Sequence, residues 1–208
     1  MDQAASSFPV TVKLILSTTT IGPKRNTNHL SYSLVTSLIR EAVNQSPNSI
    51  LIPDAGLAHK ISLTHFSDEI AGPLNAASVY SMGRPLRYMK GVAAASPNRL
   101  PVTILGDGSM LIQGTELAWL ARARISCLIL LCINGNLVNR KSETYVGDAS
   151  KLPAVDWEKF VVAMGAKCAP IQTCLDVQVI KDFISLAWAC GGPVVIPIDV
   201  TNETASIY

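Results

Sequence analysis

Polar residues suited to metal and phosphate binding follow two apolar segments in the middle of the chain. The sequence GDGS, residues 106–109, comes directly after the apolar residues 101–105, and Asn134 comes directly after the apolar residues 126–133. The carboxylate of Asp107, an amide oxygen and a backbone carbonyl form a set of hard oxygen donors. Such a set suits Mg²⁺, which keeps some of its water and also takes phosphate oxygens. The pattern therefore predicts a site for Mg²⁺ and a diphosphate group across two strand ends.

The residues beside Asp107 favour the same chemistry. Gly106 and Gly108 allow a sharp turn and a close approach of the backbone to a ligand. We expect Ser109 at the N-terminus of the next helix, where free N–H groups attract phosphate. Taken alone, GDG is more often a surface turn and Asn-Gly a hairpin turn, but together they bracket one helix and one buried strand. The dinucleotide fingerprint and the P-loop fit worse, because the third glycine of the first and the GK[ST] of the second are missing.

A parallel sheet is needed to bring these residues together. Near-continuous apolar segments alternate with segments of helical periodicity, which predicts an α/β fold with a three-layer, doubly wound parallel sheet. Ligands of such sheets bind at the carboxyl ends of the strands. We expect residues 1–28 to be an irregular N-terminal segment and residues 29–208 to form one domain. The predicted strands are residues 49–53, 101–105, 126–133 and 193–200, and the predicted helices are residues 31–45, 85–95, 110–123, 156–164 and 174–189, with a short helix after Gly56.

The composition excludes several classes of protein. Of the 208 residues, 49% are hydrophobic and only 15% are charged, against about 25% charged in ordinary domains, which suggests a large permanent partner. A net charge of +2 from scattered basic residues argues against a nucleic-acid surface. The longest apolar run, Cys127–Ile133, is too short for a membrane span. The five cysteines form no CxxC pair, so we expect buried thiols in a cytoplasmic protein and neither a zinc site nor a disulfide framework.

The combined pattern resembles the diphosphate-binding (PP) domain of thiamine diphosphate-dependent enzymes. In that family a GDG motif is followed by a helix, a strand and an Asn. The 27 positions from Asp107 to Asn134 are similar to the interval in the 2-oxo acid decarboxylase and acetolactate synthase branch. The resemblance implies a PP-type fold that binds thiamine diphosphate and Mg²⁺, with the metal held by Asp107, Asn134 and the main-chain carbonyl of Asn136. It also implies cofactor contacts from Gly106, Gly108, Ser109, Asn134 and Asn136.

A Met-Gly pair upstream of the GDG motif resembles a second family segment. Met82, 25 positions before Asp107, is in the place of the bulky residue that lies between the two rings of the cofactor. The carbonyl of Tyr80 would then accept a hydrogen bond from the aminopyrimidine. The alternative is that Met82 only fills the core, as an isolated methionine usually does.

Residues 54–59 (DAGLAH) resemble the first diphosphate loop of the family. This implies cofactor contacts from Gly56 and His59. Relatives often have polar residues where this chain has Leu57 and Ala58, and a surface position for His59 is an equal alternative.

Basic residues near these loops are not assigned to one role. Arg84 and Arg87 stand where relatives usually have small apolar residues, and they could reach an anionic substrate or a partner, or lie on a solvated helix face. Residues 137–148 are in the position of an active-site lid.

The family's active site also needs a second domain. In relatives the cofactor lies between the PP domain and a pyrimidine-binding (PYR) domain, which supplies the activating glutamate. We therefore assign no catalytic residue to this chain. Because only residues 1–28 precede the PP pattern, we expect the β-type subunit of a split enzyme, similar to the β subunit of sulfopyruvate decarboxylase. Its partner would be a separate PYR subunit in an α₂β₂ or higher heteromer.

The resemblance implies a carboxy-lyase that acts on a 2-oxo acid and is active only with its partner. One alternative is an acetolactate synthase-like or acyloin-forming carboligase, a transferase that couples a second carbonyl compound. Another is a non-catalytic regulatory subunit, which the retained Asp107, Ser109, Asn134 and Asn136 disfavour. The split architecture favours the decarboxylase.

Overall fold

The structure is a computed structural model that describes residues 30–56, 81–137 and 150–200. The predicted N-terminal segment, the short helix after Gly56 and nearly all of the predicted lid lie outside the described residues.

Helices and parallel strands alternate along the described ranges, as predicted. The helices are α1 Tyr32–Asn44, α2 Pro85–Ala95, α3 Asp107–Gln113, α4 Glu116–Arg122, α5 Trp157–Ala163 and α6 Val177–Cys190. The strands are β1 Ser49–Leu51, β2 Leu100–Gly106, β3 Cys127–Ile133, β4 Lys167–Cys168 and β5 Pro193–Asp199.

The five strands form one parallel sheet in the order β1-β2-β3-β5-β4. Gly106 is paired with Cys132, so β2 and β3 run side by side to their carboxyl ends. The segment after β1 continues along β2, since the N–H of Ile52 donates to the carbonyl of Val102. Three neighbouring chain segments therefore leave the sheet at the same edge.

Two apolar clusters lie on opposite faces of the sheet, so the predicted three-layer arrangement is confirmed. Helices α1 and α6 cover one face, and α2, α3, α4 and α5 cover the other. Alternation along β3 places Cys127 in the second cluster and Cys132 in the first. These apolar strands form the rigid base from which the loops at the carboxyl edge extend.

Side-chain caps explain where several helices begin. The hydroxyl of Ser31 accepts a hydrogen bond from the N–H of Leu34 at 3.1 Å, and Asp156 and Asp176 cap α5 and α6 in the same way. Such caps satisfy N–H groups that have no partner within the helix.

Three expectations differ from the structure. The helix expected over residues 110–123 begins already at Asp107 and divides at Gly114, where an added Cβ would lie 2.7 Å from Cζ of Phe160. The two-residue strand β4 is not predicted, because so short a strand leaves no periodic signal. The expectation of buried thiols is wrong for Cys174, which is exposed, and only in part right for Cys168 and Cys190.

In the described ranges no helix is long and apolar enough to cross a membrane.

Candidate functional site

Asp107 links the ends of β2 and β3. Its side chain is only 3% exposed. Oδ1 accepts a hydrogen bond from the N–H of Gly108 at 2.9 Å, and Oδ2 accepts from the N–H groups of Asn134 at 3.1 Å and Gly135 at 2.7 Å. Burial raises the pKa of this carboxyl, while the backbone N–H groups act in the opposite direction. The predicted pair Asp107 and Asn134 is therefore brought together at one edge of the sheet.

The segment after β3 forms a closed turn beside this carboxylate. Oδ1 of Asn134 accepts from the N–H of Asn136 at 3.0 Å, and the side-chain amide of Asn136 donates to the carbonyl of Asn134 at 2.9 Å. Gly135 has a positive φ of 68°, which favours glycine. The N–H of Leu152 donates to the carbonyl of Gly135 and so fastens the turn to a later segment. The predicted ligand oxygens of Asn134 and Asn136 thus belong to one short turn.

Three side chains lie close over Gly108. A Cβ added to it would lie 2.8 Å from Cδ2 of Leu137, 3.4 Å from Cε of Met82 and 3.7 Å from Cδ1 of Leu152. Met82 is half-buried and belongs to neither apolar cluster. The side chain of Met82 therefore lies next to the GDG motif, and its place between the rings of a cofactor stays a prediction.

Asp54 is a site residue to which the sequence analysis gave no role. It is fully buried, and its Oδ1 accepts a hydrogen bond from the N–H of Gly83 at 2.9 Å. Within the described residues, Oδ2 has no hydrogen-bond partner. The signal was present in the sequence, because Asp54 follows an apolar segment in the same way as Asp107 follows β2.

Tyr32 is a second residue that the sequence analysis missed. It is buried on α1 beneath the GDG motif, where an added Cβ on Gly106 would lie 3.1 Å from its hydroxyl oxygen. Burial above all, and also the neighbouring Cys132, raise the pKa of Tyr32 well above its ordinary value. The group beneath Gly106 is therefore an uncharged hydroxyl group at neutral pH.

The remaining predicted residues are placed as follows. Gly56 is exposed, has a φ of 75°, and has open space around an added Cβ. His59 and Tyr80 lie outside the described residues. Arg84 is buried rather than on a solvated face, whereas Arg87 is exposed and pairs with Glu116 at 3.0 Å.

The oxygen donors at this edge fit a magnesium diphosphate. Within the described residues no group of three or more His, Cys, Asp or Glu is arranged around a common point. The donors are instead the Asp107 carboxylate, the Asn134 amide oxygen and backbone carbonyls, the hard oxygens that Mg²⁺ prefers. Gly108 itself adds no side chain between the backbone and these oxygen donors.

A comparison with known families identifies the family of the chain. The model for the C-terminal TPP binding domain of thiamine pyrophosphate enzymes matches residues 54–198. The chain belongs to this family. Thiamine pyrophosphate is another name for thiamine diphosphate, so the predicted family and the PP-type fold are confirmed. The match begins at Asp54 and includes every described residue of the candidate site except Tyr32.

Solved structures share the fold of this thiamine pyrophosphate enzyme domain. Benzoylformate decarboxylase from Polynucleobacter necessarius is 19% identical with a TM-score of 0.64, and the alignment covers 88% of this chain and 34% of that one. The thiamine diphosphate-dependent 4-hydroxybenzoylformate decarboxylase of Rhodococcus jostii RHA1 is 18% identical with a TM-score of 0.62, covering 87% and 35%. A putative thiamin diphosphate-dependent enzyme from Mycobacterium smegmatis is 14% identical with a TM-score of 0.61, covering 87% and 35%.

The chain spans about a third of the length of these structures. A search of the curated proteins finds none that matches it.

Proposed function

We propose that the chain binds thiamine diphosphate together with Mg²⁺ and forms the PP half of an enzyme that decarboxylates a 2-oxo acid. The observation that carries this proposal is the Asp107 carboxylate, which is held by N–H groups from two strand ends. Two of the three similar structures are decarboxylases by name, which favours the carboxy-lyase over the carboligase.

Each described site residue has a separate task in this proposal. Asp107, Asn134 and the carbonyl of Asn136 would hold Mg²⁺, and the backbone of residues 106–109 would approach the diphosphate oxygens. Bound thiamine diphosphate supplies the carbanion chemistry that accepts the electrons left when carbon dioxide departs. Met82, whose side chain lies over Gly108, would orient the cofactor. Tyr32 would place an uncharged hydroxyl group beneath Gly106.

We propose that a PYR domain on a separate subunit completes the active site in an α₂β₂ or higher cytoplasmic heteromer. Apolar side chains on α3 and α4 support a protein partner: Ile112 is 54% exposed and Trp119 is 58% exposed. Both helices follow Asp107 directly in the chain. A subunit that covers Ile112 and Trp119 would therefore bind to the helices that come directly after the GDG strand.

Calorimetry of the full chain with thiamine diphosphate and Mg²⁺ tests the binding half of the proposal. We expect Mg²⁺-dependent binding that Asp107→Asn abolishes. The matched control is Asp176→Asn, which also replaces a carboxylate by an amide but keeps a good helix cap. Equal binding by Asp107→Asn and the unaltered chain would refute the assignment of the site.

A product assay tests the reaction. The PYR subunit encoded by a neighbouring open reading frame is added to the chain, and pyruvate and larger 2-oxo acids are supplied. We expect turnover only when both subunits are present, with carbon dioxide and an aldehyde as products. Carbon–carbon coupled products would instead establish the carboligase, and full turnover by the chain alone would refute the split enzyme.

A further inference from the structure

The Asp54 carboxylate joins the end of the first strand segment to the turn that carries Met82. The N–H of Asp54 donates to the carbonyl of Ile104 on β2 at 3.4 Å, and its side-chain Oδ1 accepts from the N–H of Gly83 at 2.9 Å. Gly83 lies 29 positions further along the chain. One fully buried side chain therefore fixes the position of this turn relative to the sheet.

The turn at Gly83 has little conformational freedom. Gly83 has a φ of 79°, and a Cβ added to it would lie 2.6 Å from Cβ of Gln113 and 2.8 Å from the carbonyl oxygen of Ser109. Both contacts belong to α3, the helix that begins with Asp107. The turn thus packs against α3 on one side, and on the other side its Gly83 N–H is hydrogen-bonded to Asp54.

Met82 precedes this fixed residue and points towards the GDG motif. Its Cε lies 3.4 Å from the position of a Cβ on Gly108. Gly108 in turn donates its N–H to the Asp107 carboxylate. A continuous set of contacts therefore runs from Asp54 through Gly83 and Met82 to the residues of the proposed cofactor site.

We infer that Asp54 is a positioning residue, which sets the side chain of Met82 over Gly108 for thiamine diphosphate. The inference rests on the proposed function, because Met82 has this task only if the cofactor binds here. Asp54 acts through the N–H of Gly83, and it does not touch the cofactor.

The surroundings of Asp54 explain why a carboxylate can be kept there. Burial raises the pKa of Asp54, while the hydroxyl group of Ser109, the N–H of Ala55 and the buried cation Arg84 favour its charged form. Among the described residues Oδ2 has no hydrogen-bond partner of standard geometry.

A double-mutant cycle on the full chain tests the inference. The dissociation constant for thiamine diphosphate at fixed Mg²⁺ is measured for the unaltered chain, Asp54→Ala, Met82→Ala and the double variant. We expect Asp54→Ala to weaken binding about tenfold, the effect of losing one hydrogen bond to a charged group. If Asp54 acts through Met82, the double variant binds no more weakly than Met82→Ala alone. Independent, additive losses would overturn the inference, as would unchanged binding by Asp54→Ala.

The conservative variant Asp54→Asn keeps the test valid if Asp54→Ala does not fold. Its side-chain oxygen can still accept from the N–H of Gly83, so we expect binding within about twofold of the unaltered chain. Loss of binding in Asp54→Asn would overturn the inference, because the charge rather than the hydrogen bond would then matter. Hydrogen exchange of the Gly83 amide gives a readout without cofactor: it should be protected in the unaltered chain and in Asp54→Asn, but not in Asp54→Ala.

Failure of the proposed function gives a different result. If neither the unaltered chain nor Asp107→Asn binds thiamine diphosphate, or both bind it equally, the cofactor site itself is wrong and the inference falls with it. If Asp107→Asn loses binding and Asp54→Ala retains it, only the role of Asp54 is overturned.

Discussion

The backbone N–H of Gly135 donates a 2.7 Å hydrogen bond to Oδ2 of Asp107, across the boundary between the ends of β2 and β3. The same oxygen accepts from Asn134, and the other carboxylate oxygen accepts from Gly108. The proposed metal ligand is therefore also the group that orders the loop around the site. Two different substitutions of Asp107 can separate the loss of the metal ligand from the loss of the hydrogen bonds to the loop.

The pair Asp107→Asn and Asp107→Ala makes that separation. Asn removes the charge and keeps only one oxygen acceptor, so its NH₂ group faces at least one of the N–H groups of Gly108, Asn134 and Gly135. We expect loss of Mg²⁺-dependent cofactor binding and a smaller loss of unfolding free energy than in the Ala variant. Ala leaves three N–H groups without their acceptor, and each buried one costs about 1–3 kcal/mol. Denaturant unfolding and calorimetry of both variants measure the two effects. Equal unfolding free energies for Asn and Ala would contradict the structural role.

Substitution of Gly83 by alanine tests the turn that carries Met82. The positive φ costs a residue with a Cβ about 1–2 kcal/mol, and the close contact with Gln113 adds about 1–3 kcal/mol of overpacking. We expect Gly83→Ala to lower the free energy of unfolding by about 2–5 kcal/mol, measured by urea denaturation.

Gly56→Ala is the matched control, because Gly56 has a similar φ of 75° but nothing within 4 Å of an added Cβ. It should lose only the conformational part, about 1–2 kcal/mol. Equal losses in the two variants would mean that the contact between Gly83 and α3 is unimportant.

The sheet and the proximity of Asp107 and Asn134 could be predicted from the sequence for a simple physical reason. Strands that are covered on both faces are nearly continuous apolar runs, and Asp107 and Asn134 each interrupt one such run at its end. Because the two runs pair in register, residues that follow them meet without further information. Gly114 is different, since the contact of Phe160 that leaves no room for a side chain there comes from a distant helix, which no local pattern reveals.

Asp54 and Tyr32 were missed because their roles depend on partners distant in the chain. Asp54 acts on Gly83, 29 positions away, and Tyr32 reaches the underside of Gly106 from another layer of the fold. A buried polar side chain on a helix has no periodic signature of its own, and the place of Asp54 after an apolar segment does not reveal its partner. The roles of Asp54 and Tyr32 can be recognised only once the packing of α1 and of the turn at Met82 against the sheet is known.

The thiols should differ sharply in their reaction with iodoacetamide. Cys174 is exposed, whereas Cys127 and Cys132 are buried and burial raises the pKa of both thiols. Because the thiolate is the reactive form, we expect native alkylation at Cys174 and protection of Cys127 and Cys132 until the chain unfolds. Peptide mapping by mass spectrometry measures this. Rapid native labelling of Cys132 would contradict the packing of β3.

The partly buried thiol of Cys168 should make the free energy of unfolding depend on pH in the alkaline range. Burial, followed by the nearby acidic side chains, raises the pKa of Cys168 to about 12, above the ordinary value of 9.0. Between these values the folded chain keeps a proton that the unfolded chain has lost, so the free energy of unfolding falls as the pH rises. The contribution of one such thiol is at most about 1.4 kcal/mol per pH unit.

The variant Cys168→Ala isolates this contribution. It removes the titrating thiol, so we expect a shallower loss of stability between about pH 9 and pH 11 than in the unaltered chain. Urea denaturation at several pH values gives the two slopes. Parallel slopes would show that the Cys168 thiol does not titrate differently in the folded and unfolded states.

Two exposed tryptophans give a matched test of the proposed partner surface. Trp119 on α4 is 58% exposed, and Arg122 lies over its ring at 5.7 Å, whereas Trp188 on α6 is 38% exposed on the opposite side of the sheet. A tryptophan at the centre of an interface contributes at least about 2 kcal/mol to binding, a factor of roughly 30. We therefore expect Trp119→Gln to weaken association with the PYR subunit by this factor and Trp188→Gln to leave it unchanged.

Both variants should keep the free energy of unfolding within about 0.5 kcal/mol, because surface substitutions rarely change it more. Association measured by calorimetry decides the matter: equal affinities for the two variants would exclude α4 from the interface.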